Sequence, residues 1–170
     1  MKEIEYISFT PKQNAIEYKS QLWDLVNAAQ SARAIPYLYA PNEAFFDASL
    51  TDEHVKIFAF CDGQLVGFSF LRLMHQWPSY FDFLQEPSEL CAMLLMNLVH
   101  PDYRGLGIGR VLSLKRLEAA KDDGVEHLYA TVHPHNESSV KLLTQLGMKT
   151  LAEREIFTEK VLRKVMYKAL

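Results

Sequence analysis

Apolar residues near the start of the chain follow two different spacings, which predict one strand and two helices. The segment from Glu3 to Phe9 alternates apolar and polar positions and is typical of a strand. After Pro11 the apolar spacing becomes helical and predicts a helix that ends near Ser31. Its apolar positions are Ile16, Leu22, Leu25 and Val26. A second, short helix is expected to start at Pro41-Asn42-Glu43.

Two strongly apolar segments then flank the dipeptide Asp62-Gly63 and predict a β-hairpin. The segments run from Val55 to Cys61 and from Leu65 to Met74. Asp-Gly readily adopts the positive φ angles that a two-residue hairpin turn requires. Because both arms are apolar on both faces, we expect them to be central strands of a sheet that helices cover on each side.

The second half of the chain alternates predicted strands with predicted helices. A buried strand from Leu90 to His100 is followed by a helix that Gly124 closes. The apolar face expected for this helix consists of Ile108, Val111, Leu112, Leu114 and Leu117. The later elements are a strand at His127 to Val132, a helix capped by Asn136 and ended by Gly147, and two strands at Lys149 to Phe157 and Val161 to Ala169. This order predicts an α/β (α+β) fold, in which about four helices flank a mixed but mainly antiparallel sheet of about six to seven strands with one strand-helix-strand crossover.

Length, composition and charge restrict the class of protein. With 170 residues, of which 49% are apolar, the chain is predicted to form a single domain, 1–170, with a sizeable core. Its formal net charge of -3 argues against a dedicated nucleic-acid binder. The longest apolar run, Leu90 to Met96, is too short to span a membrane. Cys61 and Cys91 lack metal-ligand spacing and fit a reducing compartment, so we expect a cytoplasmic protein without a bound metal.

The segment with the strongest chemical signal is the glycine-rich loop from Arg104 to Arg110, where a predicted strand passes into a predicted helix. Its three glycines stand at alternate positions, and glycines let backbone N–H groups approach a ligand closely. The helix N-terminus adds partial positive charge, and two arginines flank the loop. The loop is therefore predicted to bind phosphate groups. It lacks the Gly-Lys-Ser/Thr of a P-loop, and Arg110 replaces the third glycine of a dinucleotide fingerprint.

Two sequence blocks resemble those of the GCN5-related N-acetyltransferase (GNAT) superfamily. The acetyl-CoA loop of that superfamily reads Arg/Gln-x-x-Gly-x-Gly/Ala, and here the residues are Arg104-Gly105-Leu106-Gly107-Ile108-Gly109. The second block, Asn-x-x-Ala-x-x-Leu-Tyr-x-x-x-Gly-Phe, is similar to the segment from Asn136 to Met148. The resemblance implies a GNAT-like fold and an enzyme that transfers an acetyl group from acetyl-CoA directly to an amine.

The resemblance also implies which residues bind the cofactor. The pyrophosphate of coenzyme A is expected on the loop amides, with Arg104 and Arg110 beside them, and the pantetheine arm is expected alongside Leu98 and Val99. The implied cofactor-binding set is Leu98, Val99, Arg104, Gly105, Leu106, Gly107, Ile108, Gly109, Arg110, Asn136 and Ser139. The backbone N–H of Val99 would polarise the thioester carbonyl. Asn136 could serve as a helix N-cap, as a contact to the cofactor arm, or as both.

Two residues that many GNAT proteins use for proton transfer are missing. No Asp or Glu occurs between Leu90 and Pro101, and Leu143 stands at the tyrosine position of the second block. His133 is the candidate acid or base, because a histidine titrates near neutral pH, although an ordinary loop histidine is the alternative. Asn97 is a candidate for binding the acceptor, or it only satisfies a backbone group.

Two aromatic segments are candidate walls of an acceptor pocket. One runs from Ala34 to Phe46, and the other runs from His75 to Glu89 and carries four aromatic residues. The second segment has alternative roles as an apolar flap over the sheet edge or as a dimer contact, and a homodimer is compatible with it. A closed aromatic pocket favours a small-molecule or amino-acid-like amine as acceptor. A protein or peptide N-acetyltransferase and a non-catalytic acyl-CoA sensor are the alternative functions.

Overall fold

The computed structural model describes residues 2–32, 41–51 and 53–170. These ranges contain seven strands, β1 Glu5–Phe9, β2 His54–Cys61, β3 Gln64–Leu73, β4 Cys91–Val99, β5 His127–Val132, β6 Lys149–Ile156 and β7 Val161–Ala169. They also contain four α-helices, α1 Lys19–Ala32, α2 Glu43–Leu50, α3 Ile108–Asp122 and α4 Glu137–Gln145. No helix in the described part of the chain is long and apolar enough to cross a membrane.

The seven strands form one sheet in the order β1-β2-β3-β4-β5-β7-β6. Neighbouring strands are antiparallel except β4 and β5, which are parallel. Helix α3 lies between β4 and β5 in the chain, because parallel neighbours require a crossover connection. The predicted mixed, mainly antiparallel sheet with four helices is therefore confirmed.

Local turn and cap signals of the sequence act as expected. Asp62 and Gly63 join β2 to β3 with φ angles of 51° and 77°, the left-handed conformation that a tight hairpin turn needs. The Asn42 side chain caps α2 by accepting a hydrogen bond from a backbone N–H at 2.8 Å, and Asn136 caps α4 in the same way. The start of the first helix differs from the prediction, because Ile16 is exposed in a short 3-10 turn that precedes α1.

Helices cover both faces of the sheet and divide the apolar core. On one face, called the α3 face, helices α3 and α4 pack against alternate residues of the central strands. Examples of this core are Ile57, Leu71, Leu94, Leu112 and Leu128. On the opposite face, called the α1 face, α1 and α2 pack against an aromatic core. Its members include Phe46, Phe58, Phe68 and Phe70. Strands β2 and β3 are buried along most of their length, which confirms their prediction as central strands.

Helix α3 packs on the sheet through the expected positions Ile108, Leu112 and Leu117, but not through Leu114. Leu114 is 45% exposed, so the prediction that it belongs to the apolar face is wrong. The buried positions are Ile108, Leu112, Ser113, Arg116, Leu117 and Ala120. A spacing of four residues continues the row of Ile108 and Leu112 to Arg116. Gly67 lets this helix approach β3 closely, because a Cβ atom there would lie 3.1 Å from the Ile108 side chain.

The segment between β3 and β4 packs mainly against the α1 face of the sheet. Phe81 is buried with Tyr129 and Val165 in an apolar cluster. The Tyr129 hydroxyl donates to the Glu86 carboxylate at 2.6 Å, and this bond holds the pKa of Glu86 below its ordinary value. The segment therefore serves chiefly as a cover for the sheet, which was one of its two alternative roles. Its Tyr80 reaches the cavity described below.

Lys56 is a buried cation that ties the loop after β1 to the sheet. Its side chain is fully buried, and its Nζ donates to the carbonyl oxygens of Gln13 at 2.6 Å, Thr51 at 2.7 Å and Pro11 at 2.9 Å. We expect Lys56→Met to lower the free energy of unfolding by about 3 kcal/mol, because these carbonyl groups lose their donor. Urea denaturation measures the loss, and Lys121→Met, at an exposed lysine on α3, is the control. An unchanged midpoint for Lys56→Met would contradict this expectation.

Candidate active site

Strands β4 and β5 pair over only part of their length and then separate. The parallel register joins Cys91–Leu94 to His127–Ala130. No further pair follows between the described residues of these strands, although β4 continues to Val99 and β5 to Val132. The two strands therefore leave a gap in the sheet beyond Leu94.

Backbone N–H groups of β4 face this gap. The His100 N–H donates to the Val66 carbonyl oxygen of β3 at 2.8 Å. Because successive N–H groups of a strand point in opposite directions, the N–H groups of Val99 and Asn97 are directed away from β3 and towards the gap. The regular register of Val99 and Asn97 with β3 supports this direction. Two backbone donors are thus available to a ligand that lies along β4.

A buried arginine holds a β-bulge at the start of the gap. Two residues of β4, Leu95 and Met96, stand opposite Phe70 of β3. The guanidinium of Arg116 donates to the carbonyl oxygens of Leu95 at 2.7 Å and Phe70 at 3.3 Å, and also to the Ser113 Oγ at 3.0 Å. Arg116 is 2% exposed, and burial lowers its pKa to about 9. A positive charge therefore lies directly beneath the point where β4 leaves β5.

The Asn97 side chain fastens α3 to β4. Its Nδ2 donates to the Gly109 carbonyl oxygen at 2.9 Å and to the Ser113 Oγ at 2.8 Å. The Oδ1 of Asn97 is buried and has no hydrogen-bond partner in the described part of the chain. The side chain thus satisfies the Gly109 carbonyl group, which was one of its two predicted roles. It also lines the cavity described below.

The glycine-rich loop presents a row of backbone donors that have no acceptor among the described residues. Gly105 and Gly107 have φ angles of 78° and 79°, and a Cβ atom at either position would meet no atom within 4 Å. Among the described residues after the loop, Val111 is the first whose N–H donates to a backbone carbonyl. The N–H groups of residues 105–110 have no acceptor within the described ranges. Together with the N-terminus of α3, they form a positively polarised cradle that suits an anion.

A cavity of about 410 Å³ passes through the gap between β4 and β5 and has walls on both faces of the sheet. Its walls on the α3 face include Asn97, Arg116, Asn136, Ser139, Leu142 and Leu143. Its walls on the α1 face include Phe45, His54, Arg72, Tyr80, Phe157 and Arg163. The cavity therefore connects the side of the sheet that carries the glycine-rich loop to the opposite side.

Positive charge dominates the cavity walls. Arg72 and Arg163 line the half on the α1 face, and Arg116 lies beneath the gap. Arg163 is 8% exposed and donates to the Thr131 carbonyl oxygen at 3.1 Å. Glu53 is the one carboxylate among the described lining residues, and it is exposed. An anionic ligand group is therefore better suited to this half of the cavity than a lone cation.

His54 has a buried, neutral imidazole and stands opposite Arg72 in the register of β2 and β3. It is 4% exposed, and its Nδ1 has no hydrogen-bond partner among the described residues. Burial is the main cause that lowers its pKa to about 4, and the charges of Arg72 and Lys56 act in the same direction. His54 therefore stays uncharged at neutral pH.

We expect the free energy of unfolding to fall by about 3 kcal/mol between pH 6.5 and pH 4 because of His54. The unfolded chain binds a proton at this imidazole near pH 6.5, whereas the folded chain binds it only near pH 4, so protons favour unfolding in this range. Above pH 6.5 the imidazole is neutral in both the folded and the unfolded chain, so His54 no longer lowers the free energy of unfolding there. Urea denaturation of the parent and of His54→Phe, each at about pH 4 and about pH 7, measures it. A variant that keeps the full pH dependence would refute this role for His54.

Most of the predicted cofactor residues lie around the loop and the loop-side half of the cavity. Asn136 and Ser139 line that cavity from the start of α4. The exposed members of the loop are Arg104, Gly105, Leu106, Gly107 and Arg110, whereas Gly109 is half-buried. Ile108 is 1% exposed and anchors α3 in the core. Leu98 differs from the others, because its side chain is buried in the core of the α1 face and the strand alternation directs its N–H towards β3.

The predicted catalytic residues do not meet at one point. Asn97 lines the cavity, and the Val99 N–H is directed into the gap. His133 directly follows β5 and is not among the described lining residues. Its Nδ1 accepts a hydrogen bond from the His135 N–H at 3.1 Å. Burial lowers the pKa of His133, and the neighbouring charges of His135 and Arg163 lower it further.

Only part of the expected acceptor wall can be described. Phe45 lines the cavity, but Phe46 is buried in the core. Residues 34–40 of this segment, with Tyr37 and Tyr39, lie outside the described residues. Leu143 is 8% exposed and lines the cavity, so no hydroxyl group is present at the tyrosine position of the second block.

Sequence reasoning missed the arginines of the cavity and His54. Arg116 had a signal, because it continues a row of buried positions on α3 at a spacing of four residues. Arg72 also had one, because it follows Phe68 and Phe70 at the spacing of two that marks one face of a strand. A charged residue at an apolar position of such a pattern is the feature to search for.

Comparison with known proteins shows the fold and the family. Residues 21–148 match the acetyltransferase (GNAT) family. The ribosomal-protein-alanine N-acetyltransferase of Brucella melitensis has a TM-score of 0.70 at 19% identity, over 98% of this chain and 99% of that one. The N-acetyltransferase of Staphylococcus aureus Mu50 has a TM-score of 0.69 at 18% identity, over 99% and 98%. The protein yncA of Salmonella typhimurium, solved with its cofactor acetyl-CoA, has a TM-score of 0.68 at 16% identity, over 98% and 94%. A comparison with curated proteins gave no match.

These likenesses show that the chain has an acetyltransferase fold. Because residues 21–148 make up most of its 170 residues, the chain belongs to the GNAT acetyltransferase family. Acetyl-CoA is the cofactor of this family. The resemblance read from the glycine-rich loop and the segment from Asn136 to Met148 is thereby confirmed.

Proposed function

We propose that this protein transfers the acetyl group of acetyl-CoA to the amine of a small, amino-acid-like molecule. The observation that carries the proposal is the cavity through the gap between β4 and β5. A donor held on the α3 face and an amine that enters from the α1 face would meet in this gap. Phe45, Tyr80 and Phe157 line the amine side, and such apolar walls suit a small molecule better than an extended peptide.

The residues present fit acetyl-CoA. The free N–H groups of residues 105–110 suit the oxygens of a diphosphate, and Arg104 and Arg110 add positive charge at the exposed rim. The backbone donor of Val99 suits a carbonyl group of an extended arm in the gap. Asn136 and Ser139 would contact this arm from α4.

When bound, acetyl-CoA would supply a thioester: the amine nitrogen would bond to its carbonyl carbon, the C–S bond would break and the amine proton would end on the departing sulfur. The Val99 N–H would donate to the thioester carbonyl oxygen, where negative charge develops. Asn97 would keep this part of β4 in place through its bonds to α3. His133, at the end of β5, stays the predicted acid or base.

The arginines of the cavity offer a partial substitute for a dedicated base. The amine must be neutral when its nitrogen attacks. Arg72, Arg116 and Arg163 line the cavity, and nearby positive charge lowers the pKa of an ammonium group. A larger fraction of the bound amine is then neutral at a given pH, and the remaining proton can leave through water.

A thiol-release assay with acetyl-CoA tests the proposed function. We expect thiol release with small amines or amino acids and little release with peptides that carry a free N-terminus. Release with peptides alone would favour the protein acetyltransferase instead. Calorimetric binding of acetyl-CoA without release for any acceptor would favour the acyl-CoA sensor.

Three further properties are proposed with this function. We expect residues 1–170 to act as a single domain, because all seven strands of the described chain belong to one sheet. Cys61 and Cys91 are both free and buried, which fits a reducing cytoplasm. A homodimer stays a prediction, and light scattering coupled to size-exclusion chromatography tests it.

A further inference from the structure

Arg72 is a cation of the cavity wall that has no carboxylate partner among the described residues. It lies near the end of β3 in the row of Phe68 and Phe70, which faces α1 and α2. The side chain is half-buried, and no carboxylate within the described ranges forms an ion pair with it. A cation that loses water without gaining an anion is unfavourable, so this position suits an anion that a ligand brings. The planar guanidinium matches a carboxylate, because two parallel N–H groups can donate to its two oxygens.

His54 supplies a second and independent feature at the same wall. It stands opposite Arg72 in the register of β2 and β3, and both side chains line the cavity. Its Nδ1 is buried and has no hydrogen-bond partner in the part of the chain that the structure describes, whereas buried polar atoms are normally hydrogen-bonded. In the tautomer that carries the proton on Nδ1, this atom donates a hydrogen bond, and a ligand oxygen would complete it.

We propose that the acceptor is a free α-amino acid with an apolar side chain, whose carboxylate binds to Arg72 and His54. This inference rests on the proposed function and names the substrate class for the same cavity. The α-amine would then point towards the gap between β4 and β5, and the side chain would lie against the aromatic walls at Phe45, Tyr80 and Phe157. The site selects for a carboxylate by charge and for an apolar side chain by contact area.

Charge also explains why amines without a carboxylate are poor candidates. A simple amine enters as a cation and meets Arg72 and Arg163 at the wall. An amino acid enters as a zwitterion without net charge, and its carboxylate neutralises Arg72. A peptide N-terminus has an uncharged amide where the amino acid has its carboxylate, so it gains no such contact.

Matched acceptors and an arginine variant test the inference. Thiol release is measured with each standard amino acid, and L-phenylalanine, L-leucine and L-methionine are each compared with their amide and their decarboxylated amine. We expect kcat/KM to be at least about 10-fold higher for the acids than for the matched amides and amines. Arg72→Gln should lower kcat/KM for the acids about 10- to 100-fold, mainly through KM, and leave the amides unchanged. Arg72→Lys should retain an intermediate rate with the acids.

The controls separate this inference from the proposed function. Lys121→Gln changes an exposed charge outside the cavity and should leave both kinds of acceptor unaffected. An unchanged Kd for acetyl-CoA in Arg72→Gln shows that the fold and the cofactor site are intact. Amides or simple amines that react as fast as the acids, or an equal loss for both in Arg72→Gln, would overturn the inference and leave the proposed function standing. Absence of thiol release with every acceptor would overturn both.

Discussion

Gly107→Val is expected to raise the Kd for acetyl-CoA about 100-fold while the protein stays folded. Gly107 has a φ of 79°, which a valine adopts only with strain, so the loop amides would lose their alignment. The valine side chain would also occupy open space at the loop, to which the phosphate oxygens are proposed to bind. Calorimetric titration of acetyl-CoA into the variant measures the effect.

Gly124→Val is the matched control for this substitution. Gly124 has a φ of 73°, and a Cβ atom there also meets no atom within 4 Å. It follows the C-terminus of α3, whereas Gly107 precedes the N-terminus of the same helix. Both valines should therefore cause a similar strain of about 1–3 kcal/mol, but only Gly107→Val should weaken binding. Equal Kd values for the two variants and the parent would show that the loop does not bind the cofactor.

Arg116→Leu is expected to lower kcat about 100-fold, with a smaller change in the Kd for acetyl-CoA. The guanidinium holds the carbonyl oxygens of Leu95 and Phe70 at the bulge that begins the gap. Without it the bulge loses its donors, and the proposed reacting groups in the gap lose their alignment. Leucine continues the apolar row of Ile108 and Leu112 on α3, so the helix should remain packed on the sheet.

Two measurements make this second expectation specific. Steady-state kinetics at saturating acetyl-CoA gives kcat, and calorimetry gives Kd for the same samples. Lys121→Leu, an exposed substitution on the same helix, should change neither. Full kcat in a folded Arg116→Leu variant would show that the arginine has no role in positioning β4.

Local sequence signals predicted the backbone conformation of the glycine-rich loop, the α4 cap and the β2–β3 turn. The alternating glycines of the loop, Asn136 as a cap and Asp62-Gly63 as a turn depend on the conformation of a few consecutive residues. Such conformations follow from the residue type at each position. The family motif covers the same local segments, so the resemblance and the backbone geometry agree there.

The half of the cavity on the α1 face depends on contacts between distant segments, which no local pattern contains. The pairing of His54 with Arg72 is set by the register of β2 and β3. The bulge in β4 depends on its register with β3, where two residues of β4 stand opposite one residue of β3. The gap depends on the short pairing of β4 with β5. Sequence reasoning instead favoured His133 because of its titration range, and that residue directly follows β5, outside the described cavity lining. Burial and register, rather than residue type alone, determine which charged groups reach the cavity.

An NMR titration with two ligands tests the proposed binding of coenzyme A to the loop and to β4. We expect coenzyme A to shift the backbone amide signals of residues 105–110 and of Val99, because both its diphosphate and its arm should bind. Pantetheine, which lacks the diphosphate, should shift the Val99 signal and leave those of residues 105–110 in place. If saturating coenzyme A shifts none of the amide signals of residues 105–110, the loop does not bind the diphosphate.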